Sequence, residues 1–349
     1  MPTGSSIGRP RLAGRLASVA VAVAAALTLS SCGGGDDDKP ETKPSADNAA
    51  ASAGVFPVTV EHKYGSTEVK EAPKKIVTLG LSDHDTVLAL GAKPVGAIEW
   101  FKEKPYGKWP WAKDLWGATP PQIVGERDEY NMEKILELDP DLIIAVYSGM
   151  KQEQYDTLSK IAPVVAQPKG HEDYAAPWQV MTRQIGKALG KATETDALIG
   201  GIETRFKTVR EQHPEFASQT LIVADSFEAG KYSAFTKTDP KAIFFNEMGF
   251  KLAPRIDENA QKGANVAEFS AEKLDLLESD RLVWVTSSTS ANDRIKAEPL
   301  YTKLKVAQEK RDLFIPYENP DIGAAFSFNT VLSIPYAIDQ VVPLLTAKS

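Results

Sequence analysis

The stretch NMEKILELDPDLIIAV, residues 131–146, reads as a short amphipathic helix that gives way to a buried strand. Asp139-Pro140 stops the helix, because proline disfavours helical backbone at the residue before it. A second stretch, SAEKLDLLESDRLVWV at 270–285, repeats the arrangement without a gap. Glu133-Lys134 falls on Glu272-Lys273, Ile135 on Leu274, Leu138 on Leu277 and Asp141 on Asp280. Each copy is preceded by a shorter echo, LALGAKPVG at 88–96 and NEMGFKLAP at 246–254. Both echoes read as a helix end, a glycine suited to a left-handed C-cap, and a short strand. Two echoes in the same order imply two similar α/β lobes.

Outward from these anchors, the first lobe reads as strands at 76–79, 94–98, 142–146 and 164–166, with helices at 83–90, 132–138 and 152–160. The second reads as strands at 221–224, 251–252, 282–285 and 313–315, with helices at 241–248, 271–277, 299–306 and a final one near 330–345. Alternating strands and helices call for mainly parallel central sheets. Between the lobes Leu198, Ile202, Phe206 and Val209 recur at helical spacing. One helix over 193–214 therefore joins a lobe at 55–192 to a lobe at 215–349. Gly200-Gly201 weakens that helix by about 1 kcal/mol per glycine, or else marks close packing.

The N-terminus speaks of place. Arg9, Arg11 and Arg15 precede an apolar run at 16–29, too short to span a bilayer and typical of a secretory leader. It ends in LSSC, residues 29–32, which resembles a bacterial lipobox and implies cleavage before Cys32, with lipid on its thiol. Cys32 is the only cysteine, so no internal disulfide forms. Residues 32–54 are small and polar and read as a flexible tether. The leader, 1–31, carries three Arg and no acid, so its loss takes the net charge from −7 to −10. No basic block remains to suggest nucleic acid or a peripheral membrane patch as partner. Lipid is then the only membrane contact, at the outer face of the cytoplasmic membrane.

The ordered set KKIVTLG…VLALGAKPVGA, NMEKILELDPDLIIA, LSKIAPVV, the linking helix and SAEKLDLLESDRLVWV resembles the substrate-binding lipoproteins of ABC importers for ferric siderophores, cobalamin and haem. The resemblance covers nearly the whole mature chain. It implies two α/β lobes on one rigid helix with the ligand cleft between them, a monomer with no intrinsic cofactor, and an iron(III)–siderophore complex as ligand, with haem or cobalamin as the alternative. It also implies that Glu133 and Glu272, one per lobe, meet arginines on an ABC permease dimer. A Glu in the first helical turn also complements the helix dipole, but a capping box wants it one position later. VGERDEYNMEKI further resembles the corresponding stretch of ferric hydroxamate binding proteins, which implies that Arg127 bonds iron-bound oxygens. A guanidinium fork suits clustered anionic oxygens and stays charged; paired only with Asp128 or Glu129, Arg127 is an ordinary surface residue. Glu126, Asp128 and Glu129 take no role from the sequence.

Four of the six Trp fall in EWFKEKPYGKWPWAKDLWG, residues 99–117, just after a strand. Ligands in open α/β sheets lie beyond strand carboxyl ends, so Trp100, Phe101 and Tyr106 are cleft candidates and Trp116 a packing residue. The same rule nominates Tyr147, Phe227, Tyr232, Arg255 and Tyr317, with Phe326 and Phe328 in the loop before the last helix. His62, His84, His171 and His213 show no metal-ligand spacing. His84 reads as part of a first helical turn; were haem the ligand, His84 or His171 is the axial candidate. No nucleophile elbow, acid–base pair or phosphate loop is visible, so the reading is non-catalytic.

Overall fold

The computed structural model of the protein describes residues 55–100 and 109–347; Cys32, Phe101 and Tyr106 lie outside the described residues. The described chain enters through an antiparallel hairpin not foreseen from the sequence, β1 (Val58–His62) and β2 (Gly65–Val69). Its alternation buries Val60, His62, Thr67 and Val69, and Thr67 Oγ1 donates to the Val164 carbonyl at 2.6 Å.

Among the described residues, the first lobe is built on six strands: β3 (Ile76–Thr78), β4 (Gly96–Glu99), β5 (Gln122–Glu126), β6 (Glu129–Tyr130), β7 (Leu142–Ile144) and β8 (Val164–Val165). Their order is β6-β5-β4-β3-β7-β8, and every pairing is parallel except β5 with β6. The helices between them are α1 (Asp83–Ala89), α2 (Lys113–Trp116), α3 (Met132–Glu137) and α4 (Gln152–Leu158), followed by α5 (Trp178–Ala188) and the long α6 (Ala192–Gln212). The second sheet holds β9 (Thr220–Asp225), β10 (Lys231–Phe235), β11 (Lys251–Leu252), β12 (Val266–Ser270), β13 (Arg281–Thr286) and β14 (Asp312–Pro316). Its order is β12-β10-β9-β13-β14, with β11 alongside the start of β9. Helices α7 (Pro240–Glu247), α8 (Pro254–Asn259), α9 (Thr289–Lys296), α10 (Lys305–Gln308), α11 (Ile322–Phe328) and α12 (Ser333–Thr346) complete the lobe.

The repeat survives in three dimensions. β7 lies parallel to β3, and β13 parallel to β9. The aligned aspartates do one job. Asp141 accepts from the amides of Lys74 and Lys75 at 2.7 and 2.9 Å, at the entry to β3. Asp280 accepts from the amide of Thr220 at 2.8 Å, at the entry to β9. The helices ahead of them differ. Asn131 caps α3 by accepting from the Lys134 amide at 3.0 Å, whereas Ser270 makes no such bond. The expected helix over 271–277 is accordingly a 3-10 helix, broken at Lys273.

Two further helices depart from expectation for identifiable reasons. The segment expected as one helix at 299–306 splits into a 3-10 turn and α10, because the Glu278 carboxylate accepts from the amides of Lys305 and Val306 and starts a new helix there. The last helix begins at Ser333, where Thr330 and Ser333 cap each other at 2.9 and 3.0 Å. Phe326 and Phe328 are not in a loop: they sit on α11, which Asn329 ends with a left-handed φ of 47°.

One apolar core runs from the strands of the first lobe through α6 to α11 and α12, and a smaller one around Tyr232, Leu274, Trp284 and Tyr301 fills the other face of the second sheet. Ile199, Ile202, Phe206 and Val209 form the buried stripe of α6. Gly200 and Gly201 do not mark close packing, since an added Cβ at either meets nothing within 4 Å. The close approach is at Gly186 of α5, whose added Cβ would overlap the Thr195 side chain. Gly200→Ala and Gly201→Ala are therefore expected to raise unfolding free energy by about 0.5–1 kcal/mol each, and Gly186→Ala to lower it. Urea titration checks this; no gain at 200 or 201 would mean that α6 needs its glycines.

Candidate functional site

The carboxyl ends of β3, β4, β5 and β7 converge, and one buried side chain ties two of them together. Asp83, first in α1, accepts from the amides of Val146 and Tyr147 at 2.7 and 3.0 Å. Gly80 is required beneath it, because any Cβ there would overlap the carboxylate. Burial pushes the Asp83 carboxyl up to about 6 against the pull of those amides. The result is a fixed turn that presents Tyr147.

Around this turn the structure gathers rings from both lobes. Phe328, 3 % exposed, meets Trp100 edge-on at 5.0 Å, Trp109 at 5.2 Å and Tyr147 edge-on at 6.5 Å. Tyr147 in turn meets Tyr174 edge-on at 5.4 Å, and burial pushes its phenol pKa up. Arg127 stands at the rim. Its amide donates to the Glu99 carbonyl at 2.9 Å, and its guanidinium lies 5.5 Å from the centre of the Tyr174 ring. Between the lobes behind Tyr147, a cavity of 10 Å³ is lined by Ser82, Asp83, Thr86, Asn329 and Thr330 among others. That is room for about one water, so the lobes meet closely there.

Arg127, Trp100, Tyr147 and Phe328 thus come together. Tyr317, half-buried, follows β14, with its amide donating to the Thr286 carbonyl at 2.8 Å. Trp116 packs with Leu88 and Ala112. Other candidates are placed elsewhere. Tyr232 lies inside β10, 3 % exposed, against Phe269 and Trp284, so it is a core residue of the second lobe. A groove of 480 Å³ beside the β10–β12 pair is lined by Phe227, Tyr232, Glu268 and Phe269 among others, and by no ring of the cluster around Phe328. Arg255 lies at the wrong end of the sheet. β11 runs beside the start of β9, and Arg255 donates to the carbonyls of Leu276 and Glu278 ahead of β13. His84 is 2 % exposed beneath Trp109 and Trp116, which closes it to an axial haem contact; burial lowers its pKa to about 4. His171 is half-buried on the 166–177 connection. Glu133 and Glu272 are exposed, each near the start of its helix.

The sequence passed over two residues of this site. Tyr174 donates from its hydroxyl to Asp128, which also accepts from the Gly149 amide at 2.9 Å. Tyr174 follows the end of β8, so the strand-end rule that found Tyr147 reaches it as well.

Two α/β lobes on one long helix, with aromatic and cationic side chains gathered where the strands of one lobe end against the other, define a bilobal solute-binding protein. The chain belongs to the periplasmic binding protein family, whose pattern matches residues 76–317. It is 30% identical over 263 residues to the putative ABC transporter substrate-binding lipoprotein YhfQ of Bacillus subtilis, covering 72% of this chain and 78% of that one. A periplasmic solute binding protein of Mycobacterium smegmatis superposes with a TM-score of 0.73 at 30% identity, over 83% of this chain and 97% of the other. PiaA of Streptococcus pneumoniae in complex with ferrichrome gives 0.71 at 28% identity, over 82% and 97%.

Proposed function

We propose that this chain is a lipid-anchored extracytoplasmic binding protein that captures a ferric siderophore, of the hydroxamate type, and delivers it to an ABC permease for iron import. The observation that carries the reading is Arg127, held at the rim of the Trp100–Tyr147–Phe328 cluster. Hydroxamate oxygens around iron(III) form a compact acceptor surface that a guanidinium fork matches. Trp100, the half-buried ring of the cluster, offers an apolar face to the organic backbone of the chelate, with Phe328 and Tyr147 buried behind it. Iron arrives already coordinated, so the protein contributes charge and shape rather than metal ligands. Ferrichrome, the ligand in the PiaA complex, is such a chelate. The lipobox-like LSSC and the tether at 32–54 support attachment through Cys32, and Glu133 and Glu272 support docking, one lobe to each permease half.

Ferrichrome is expected to quench the tryptophan fluorescence of the purified protein, because Trp100 and Trp109 stand at the cluster. Arg127→Ala is expected to weaken that binding by about 10- to 100-fold, the range for a hydrogen bond to a charged group. No response to any ferric hydroxamate would end this reading.

A further inference from the structure

We propose that Asp128 and Tyr174 are positioning residues for Arg127, and that Asp128 sets the charge selectivity of the site in favour of neutral ferric chelates over anionic ones. The proposal rests on the functional reading of Arg127 given above.

Arg127 and Asp128 form the two-residue turn between β5 and β6. Arg127 takes a left-handed φ of 49°, and Tyr174 facing it takes 63°. Neither is glycine, so each conformation is held against a local cost by its surroundings. Asp128 supplies the hold. One carboxylate oxygen accepts from the Gly149 amide at 2.9 Å and lies 3.5 Å from the Tyr130 hydroxyl. The other accepts from the Tyr174 hydroxyl. Its backbone carbonyl accepts from Gln154 Nε2 at 2.7 Å. Gly149 leaves no space in this clasp, since an added Cβ would stand 2.8 Å from the Asp128 carboxylate and 3.1 Å from the Tyr174 hydroxyl. The clasp draws the 166–177 connection against the turn and lays the Tyr174 ring beside the guanidinium.

The same geometry fixes the charge that a ligand meets. Arg127 Nε is 3.8 Å from the Asp128 carboxylate. Glu126 and Glu129 flank the turn as a cross-strand pair. Arg127 therefore presents directional donors without a net positive field around it. Three hydroxamates just cancel the charge of iron(III), so their chelate loses little by entering such a site. A ferric dicitrate complex carries surplus negative charge and is repelled by the same carboxylates.

The test compares two probes, ferrichrome and ferric dicitrate, by fluorescence titration of the full-length protein and its variants at low salt. Asp128→Asn is expected to raise the affinity for ferric dicitrate relative to ferrichrome by about 10-fold, the effect of losing one nearby charge partly screened by solvent. Tyr174→Phe keeps the ring but frees Asp128, and is expected to weaken ferrichrome about 10-fold without improving ferric dicitrate. A purely structural role for Asp128 would make Asp128→Asn lower both affinities together and leave their ratio unchanged, and that result overturns the proposal. So does wild-type affinity for ferrichrome in Tyr174→Phe, which decides the matter alone should Asp128→Asn not fold. A wild-type protein that binds neither chelate overturns the functional reading, and this proposal with it.

Discussion

Asp85→Asn is expected to gain stability relative to the parent as pH rises, by about 2–3 kcal/mol between pH 5 and pH 8. Asp85 is wholly buried on α1. One carboxylate oxygen accepts from Trp111 Nε1 at 3.0 Å and from Thr330 Oγ1 at 2.5 Å, which ties the first lobe to the 329–333 connection. The other has no hydrogen-bond partner among the described residues and faces His84 Nε2 at 3.4 Å. Burial raises the Asp85 pKa to about 7 despite those two donors, and lowers that of His84 to about 4. The contact is therefore not an ion pair: imidazolium persists only below about 4 and carboxylate only above about 7.

The sign follows from which state holds the proton. Folded Asp85 keeps a proton that the unfolded chain releases near 3.8, so its contribution is whole below that pH and drains away as pH rises through about 7. Asp83, raised to about 6, runs in the same sense. His84 runs oppositely: its contribution is present above 6.5 and lost as pH falls through about 4. The parent's own curve mixes these slopes, but the difference between variant and parent isolates Asp85. The side-chain carbonyl of the introduced asparagine accepts the same two hydrogen bonds, and its amide donates to the His84 ring. Urea unfolding of both proteins at pH 5, 6.5 and 8 measures that difference; one that stays flat would show that Asp85 is ionised in the fold throughout.

What the sequence made legible was whatever repeats locally. The helix–strand units at 131–146 and 270–285, and the stripe of α6, show their period within a few turns; the structure has helix and strand in the first unit and helix in α6, and in the second unit a strand preceded by the broken 3-10 helix. The strand-end rule reached Tyr147 because β7 is an uninterrupted apolar run whose end is easy to see. The same rule failed where a strand's place in the sheet is a tertiary fact. Nothing local says that Tyr232 is inside β10, or that β11 pairs with the start of β9 and so carries Arg255 away from the cleft. The sequence put His84 in a first helical turn but not beneath Trp109 and Trp116, which cover it from the segment between β4 and β5. Asp128 gained its role only from Tyr174 and Gly149, partners that no periodicity connects.

Charge reversal at both Glu133 and Glu272 is expected to abolish import while leaving chelate affinity within about twofold of the parent. Each Glu is exposed and outside the group of side chains around Arg127 and Phe328. The cap of α3 does not depend on Glu133: the Asn131 side chain accepts from the Lys134 amide, and the Asn131 amide, which a capping carboxylate would serve, donates to the Val124 carbonyl at 2.8 Å. Reversal forfeits only a favourable dipole contact, worth about 0.3–1 kcal/mol at an exposed helix start, so both variants should fold. Docking is affected far more. On the proposed delivery, the two positions sit on the two copies of a repeat and meet equivalent basic pockets on a two-fold permease. A single Glu→Lys change leaves one lobe correctly paired and should slow uptake only partly. Both together replace two attractions by two repulsions and lower the association constant by about 100-fold or more. Glu→Gln at both positions removes the attraction without adding repulsion and should fall between. Uptake of iron-labelled ferrichrome by cells, set beside fluorescence titration of the purified variants, separates the outcomes. Affinity that falls along with uptake would place these acids in the ligand site, and undiminished uptake in the double variant would remove them from docking altogether.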